Sequence, residues 1–200
     1  MYIEPRILKE SRNGVDIYEI RDEMLLHREI QCVGEINAES VNSMISQLIY
    51  LSRQEPEKEI TMYINSPGGE VASGLALYDV MKAIRCPIRT VCVGTAASMG
   101  AVLFAAGNSR DILPHARVMI HDPLIPGGVG GSALQLKGIS EDLMRTREIL
   151  CRILAEHTHR TLEEIYEKTG RDTYFYADEA VEYGLADRVV EQFDQPWNEI

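Results

Sequence analysis

The sequence predicts an α/β fold with largely parallel strands, and three observations carry that prediction. Short β-branched apolar runs alternate with segments whose apolar residues recur at helical spacing. No low-complexity linker or internal repeat interrupts the alternation, so residues 16–200 read as a single domain behind a polar segment 1–15, flexible or partner-dependent. Composition agrees: 45% hydrophobic and 26% charged residues suit a chain of 200 residues with a sizeable buried core.

The elements follow in order. Residues 29–33 form an apolar strand, and Asn37 caps a helix in which Val41, Met44, Ile45, Leu48 and Ile49 recur on one face. Residues 60–64 are the next strand, broken by N65-S-P-G-G69 and followed by a helix over 71–84. A strand over 90–93 leads into a small-residue helix over 98–106, and a strand over 118–121 follows. The glycine-rich I125-P-G-G-V-G-G131 precedes a long helix over 133–157. Short helices over 162–168 and 178–183 and a strand over 187–190 close the chain.

Several function classes are excluded. A net charge of −11 without a basic stripe argues against a nucleic-acid surface. The longest apolar run, residues 101–106, is far too short to span a bilayer. The opening MYIEPRILKESR places charges where a signal peptide needs an apolar stretch. Cys32, Cys86, Cys92 and Cys151 lack metal-ligand spacing, and Cys32 and Cys92 lie in apolar runs as buried thiols. A reducing, cytoplasmic setting is expected, with no metal and no organic cofactor.

One hydroxyl stands at a strand-to-helix join, in V91-C-V-G-T-A-A-S-M-G-A-V-L-F-A-A-G107. Ser98 is there either a helix N-cap or a nucleophile beside N–H groups able to hold an oxyanion. A serine nucleophile needs a base, itself oriented by a carboxylate. Among the histidines, His157 and His159 suit the positive end-charge preference of a helix C-terminus, and His27 sits among charges and reads as solvated. His121 ends the apolar strand R117-V-M-I-H121, where catalytic groups of α/β folds often stand, although a satisfied buried histidine fits equally. Asp122, Asp172, Asp178 and Asp187 all remain possible carboxylates. Gly68 and Gly69 after a strand let backbone approach a ligand closely, or simply turn the chain. The segment containing Gly127 and Gly128 is a flexible loop or an edge for peptide strand addition.

Together YINSPGGE, GTAASMGAVLFAAG, RVMIHDP, AEHT and RDTYFYADEAVEYGLADRVV, in this order, resemble the proteolytic subunits of the Clp protease, the ClpP family. The resemblance covers residues 16–190. It implies a crotonase-like, ClpP-type α/β fold of repeated β-β-α units with a protruding handle helix, the handle region spanning about 122–157. It further implies a serine endopeptidase with Ser98 as nucleophile, His121 as base and Asp172 as orienting carboxylate. Backbone N–H groups of Gly69 and Met99 would form the oxyanion hole, with Gly68, Gly127 and Gly128 along the bound peptide. Two stacked seven-membered rings would enclose a chamber fed with unfolded polypeptide by a AAA+ unfoldase, docked at pockets that include Tyr63.

The chain departs from the family at Asp122, usually glutamine, and at Gly170, usually an acid that pairs across the rings. Gly138 interrupts the long helix, and the connection over 107–114 is short. These departures suggest a divergent paralogue, weakly active alone and working in mixed rings with a second subunit type. An acyl-CoA enzyme of the related crotonase superfamily is a distant alternative, because no basic group is placed for the CoA phosphates.

Overall fold

The computed structural model describes residues 5–11 and 14–193, so the expected ends of the chain, 1–4 and 194–200, and residues 12–13 lie outside the described residues. Strands β1 (Arg6–Ser11) and β2 (Gly14–Glu19) pair as an antiparallel hairpin apart from the main sheet. The polar sequence suggests no element here, since neither face of the hairpin is buried enough to leave an alternating pattern. Helix α1 (Ile20–Leu26) follows. Lys9 of the hairpin and His27 both reach the buried Glu23 carboxylate, so the His27 side chain is packed against that acid and not solvated.

The main sheet alternates strand and helix as expected: β3 (Glu29–Ile36), α2 (Ala38–Gln54), β4 (Ile60–Gly69), α3 (Val71–Ala83), β5 (Ile88–Ala97) and α4 (Met99–Ala105). Then come β6 (Ser109–Ile112), β7 (Arg117–Ile120), α5 (Ala133–Thr158), α6 (Leu162–Thr169), β8 (Thr173–Tyr176), α7 (Ala177–Tyr183) and β9 (Arg188–Val189). Strands run in the order β3-β4-β5-β6-β9, all parallel; β7 also pairs with β5, and β8 pairs antiparallel with β7. Asn37 caps α2 as the sequence predicts, its side chain accepting from Ser40 N–H.

The strands β4 and β5 run further than their apolar runs. Asn65 Oδ1 accepts from Thr95 N–H, and Ser66 Oγ donates to Gly34 O while accepting from Gly68 N–H. These side chains satisfy backbone groups at register shifts that would otherwise end the pairing. The four-residue strands β6 and β8 are too short to show a period.

Helix α4 lies against β4 and β5 with all seven residues buried, which is why its sequence is small and apolar throughout. Burial of a side chain such as Phe104 or Leu103 contributes about 1.5–3 kcal/mol relative to exposure. Between β5, β6 and β9 the buried Asp111 accepts from Arg89 Nε at 2.6 Å and Arg188 Nε at 2.8 Å. Burial alone would raise the Asp111 carboxyl, but the hydrogen bonds from Arg188 and Arg89 outweigh it and hold the group below its ordinary range.

Helix α5 is two helices in physical terms. Its second half buries Leu150, Cys151, Ile153, Leu154 and Thr158, whereas Leu134 near its start is 83% exposed. Among the described residues no helix is long and apolar enough to cross a membrane, and no group of three or more His, Cys, Asp or Glu could hold a metal ion.

Candidate active site

One edge of β5 serves two partners. Arg89–Cys92 pair with β6, and Thr95–Ala97 pair with β7, so β7 and β8 are carried off the end of the strand. Gly94 permits the fork, because a Cβ there would meet Asn65 Oδ1 at 2.7 Å. The registers Ala97↔Met119 and Ile120↔Thr173 then bring to one corner the residues that follow β5 and β7, Ser98 and His121, and the one that precedes β8, Asp172.

Ser98 stands at the N-cap position of α4 with φ 54° and ψ −120°, a conformation that costs a non-glycine residue about 1–3 kcal/mol. Its N–H donates to Met119 O at 2.8 Å, which ties the turn to β7. The hydroxyl makes no capping bond, so the cap reading fails. Instead Ser98 Oγ lies 2.8 Å from His121 Nε2, and His121 Nδ1 lies 3.1 Å from Asp172 Oδ1. With the proton on Nδ1, His121 donates to Asp172 and accepts from the serine O–H. The His121 side chain is 16% exposed, while that of Asp172 is 60% exposed.

The other candidate carboxylates go elsewhere. Asp122 pairs with Arg147, Asp187 pairs with Arg110, and Asp178 lies in the first turn of α7. Of the remaining histidines, His157 meets the Tyr78 hydroxyl at 3.2 Å, and burial holds it below the ordinary histidine range. His159 ends α5 in a left-handed conformation.

The two glycine-bearing turns converge. A Cβ on Gly68, at φ +94°, would lie 2.7 Å from both Ser98 Cβ and Ala97 O; one on Gly69, at φ +153°, would overlap Ile36 O at 2.1 Å. Gly68 N–H donates to Ser66 Oγ, and Glu70 N–H donates to Ile36 O of β3. Met99 N–H opens α4 and has no acceptor within the helix. Gly74 gives the Met99 side chain its space, since a Cβ there would stand 2.2 Å from Met99 Cγ.

A family model described as Clp protease matches residues 11–193. The chain belongs to the Clp protease family. It is a ClpP-type peptidase, a hydrolase of peptide bonds, and its mixed α/β sheet with the long α5 is the ClpP-type fold.

In this family member a cleft of about 20 Å³ opens beside Ser98 and His121, lined by Val71, Val102, Pro123, Cys151, Leu154 and Thr169. Sequence reasoning passed over the α5 residues of this cleft. Their signal was present, since Leu150, Cys151 and Leu154 recur at three- and four-residue spacing. Burial raises the Cys151 thiol above its ordinary range; it contacts Thr169 Oγ1 at 3.6 Å. A larger cavity of about 570 Å³ lies over β3 and α2, lined in part by Glu19, Asp22, Glu35 and Glu39, and contains none of Ser98, His121 or Asp172.

Gly127 and Gly128 are exposed at φ +85° and +84°, a left-handed backbone and not an extended edge. Tyr63 stands apart on β4. Its hydroxyl bonds Glu29 Oε1 at 3.3 Å, its ring meets Phe193 edge-on at 5.8 Å, and burial with the Glu29 charge pushes it up to about 12.

Proposed function

We propose that the chain is a serine endopeptidase with Ser98 as nucleophile, His121 as general base and Asp172 as the group that orients it. The hydrogen-bond chain of 2.8 Å and 3.1 Å through these three side chains is the observation that carries the reading. His121 Nε2 takes the hydroxyl proton as Ser98 Oγ bonds to the scissile carbonyl carbon. Gly69 and Met99 N–H groups donate to the resulting oxyanion, each contributing about 3 kcal/mol in comparable sites. Collapse breaks the C–N bond, His121 gives the proton to the leaving amine, and water releases the acyl-enzyme by the same route.

The partners follow the family: two stacked heptameric rings in the cytoplasm, supplied with unfolded protein by an ATP-driven AAA+ unfoldase at a face that includes Tyr63. The exposed Leu134, Met144 and Ile149 of α5 support burial of that helix against another subunit. A second reading, an assembly-limited subunit that works in mixed rings, is favoured by the 60% exposure of Asp172 and by the bare Gly170 two residues before it.

Peptide hydrolysis and fluorophosphonate labelling by wild type and Ser98→Ala, with oligomer mass measured on the same sample, test both. Labelling of wild type alone supports the serine peptidase. Labelling only when a second ring subunit is added supports the mixed-ring reading, and no labelling under either condition overturns both.

A further inference from the structure

Behind the Ser98 corner three segments meet at one charge pair. Asp122, the residue after His121, donates its N–H to Thr169 O at 2.7 Å and accepts from Arg147 Nε at 2.6 Å through Oδ2. The Arg147 guanidinium lies over the Tyr166 ring, Cζ 4.1 Å from its centroid, and donates to Tyr166 O at 3.4 Å. The loop leaving β7, helix α5 and the end of α6 are therefore joined at this point. Two of the three segments carry a member of the Ser98–His121–Asp172 set within three residues: His121 beside Asp122, and Asp172 after Thr169.

The position of Arg147 along α5 gives the pair its consequence. Residues 123–132 form no regular element, and the helix before Arg147 is largely exposed. Burial of α5 begins at Leu150 and Cys151. The pair thus closes the excursion from 122 to 147 at its base. Without it, the Asp122 N–H bond to Thr169 O remains to hold the chain after His121.

We propose that Arg147, acting through Asp122, is a positioning residue for His121: the pair is a clasp that holds the loop after β7 and so sets the imidazole between Ser98 and Asp172. This rests on the serine-peptidase reading of the corner. Loss of the clasp lowers turnover more than substrate binding, because a displacement near 1 Å at a reacting group costs about 10²-fold in rate. The two partners are not equivalent. Asp122 Oδ1 is buried with no hydrogen-bond partner among the described residues, so removing Arg147 strands a carboxylate beside the base. Removing Asp122 leaves a guanidinium that still rests on Tyr166. Lysine cannot replace Arg147, since it offers neither the planar stack nor the Nε–H.

The test is a double-substitution cycle on the assembled protein, read as kcat, KM and the fluorophosphonate labelling rate of Ser98, with oligomer mass and Tm as controls. Arg147→Ala is expected to lower kcat and labelling about 10- to 100-fold with KM changed less than threefold. Arg147→Lys is expected to resemble it, and Asp122→Asn, which still accepts the Nε–H, to stay within about threefold of wild type. Asp122→Ala with Arg147→Ala is expected to recover part of the loss caused by Arg147→Ala alone. Additive effects on kcat, or an Arg147→Ala protein of native mass and Tm with wild-type labelling, overturn the clasp. If Arg147→Ala fails to assemble, Asp122→Ala carries the test, and unchanged labelling in that variant overturns it equally. Wild type that never labels rejects the serine-peptidase reading instead, so the two failures are distinguishable.

Discussion

The corner where β5 and β7 end and β8 begins, and the first half of α5, lie a short chain distance apart but are held by different physics. At the corner, Ser98 keeps a strained φ of 54° because its N–H is bonded to Met119 and both flanking strands are in register. Gly68 packs against it with no room for a methyl group. The first half of α5 has none of this: Leu134 and Met144 are exposed, and a Cβ on Gly138 would meet nothing within 4 Å. An over-determined site can store strain and aim a nucleophile, while an under-determined helix waits for a partner to cover its apolar residues. Asp172 stands between these regimes, in register with the corner but mostly exposed.

The contrast can be broken first at its most sensitive point. Asp172→Asn should leave Tm unchanged and lower kcat about 10⁴-fold, since an amide favours the wrong histidine tautomer; peptide hydrolysis beside a thermal scan checks both halves. Next, Asp111→Ala removes the buried acceptor of Arg89 and should cost about 3 kcal/mol in denaturant unfolding. The sign of its pH dependence follows from the depressed Asp111 carboxyl. That group stabilises the fold above the ordinary carboxylate range, and the contribution is lost as pH falls through its folded-state value. Asp111→Asn should therefore show a shallower loss of stability on acidification than wild type.

Gly68→Ala is a local blow to the corner. Its Cβ must push Ser98 or Ala97, and the expected loss in kcat/KM is about 100-fold, far beyond any change in Tm. The mirror experiment on the under-determined side is Gly138→Ala. It removes a helix-interior glycine in open space and should stabilise α5 by about 1 kcal/mol without lowering peptide hydrolysis. Slower amide exchange over α5 than in wild type is the observable.

Much of the fold was legible because buried elements write their period into the sequence. Helix α2 announces itself through Asn37 and the stripe Val41, Met44, Leu48, and α4 through its unbroken run of small apolar residues. The hairpin β1–β2 and the strands β6 and β8 were not legible, being exposed on both faces or only four residues long. For the candidate site, Ser98, His121 and Asp172 could be named from the family pattern, but their contact depends on the registers Ala97↔Met119 and Ile120↔Thr173, which no local pattern encodes. Ser98 illustrates the limit most clearly. Residue type and position at a helix start suit a cap, and only its backbone conformation and the His121 contact separate it from one. Arg147 left no sequence signal as a partner of Asp122, because the two are joined across the whole handle region.

The proposed peptidase stands or falls with Ser98 as an activated nucleophile, held by His121 at 2.8 Å. Fluorophosphonate labelling followed by peptide mapping of the assembled protein, beside His121→Ala, tests it most directly. A single adduct on Ser98 is expected in wild type, and a loss of labelling of about 10³-fold or more in His121→Ala. An adduct on any other residue, or equal labelling of the two proteins, would contradict it.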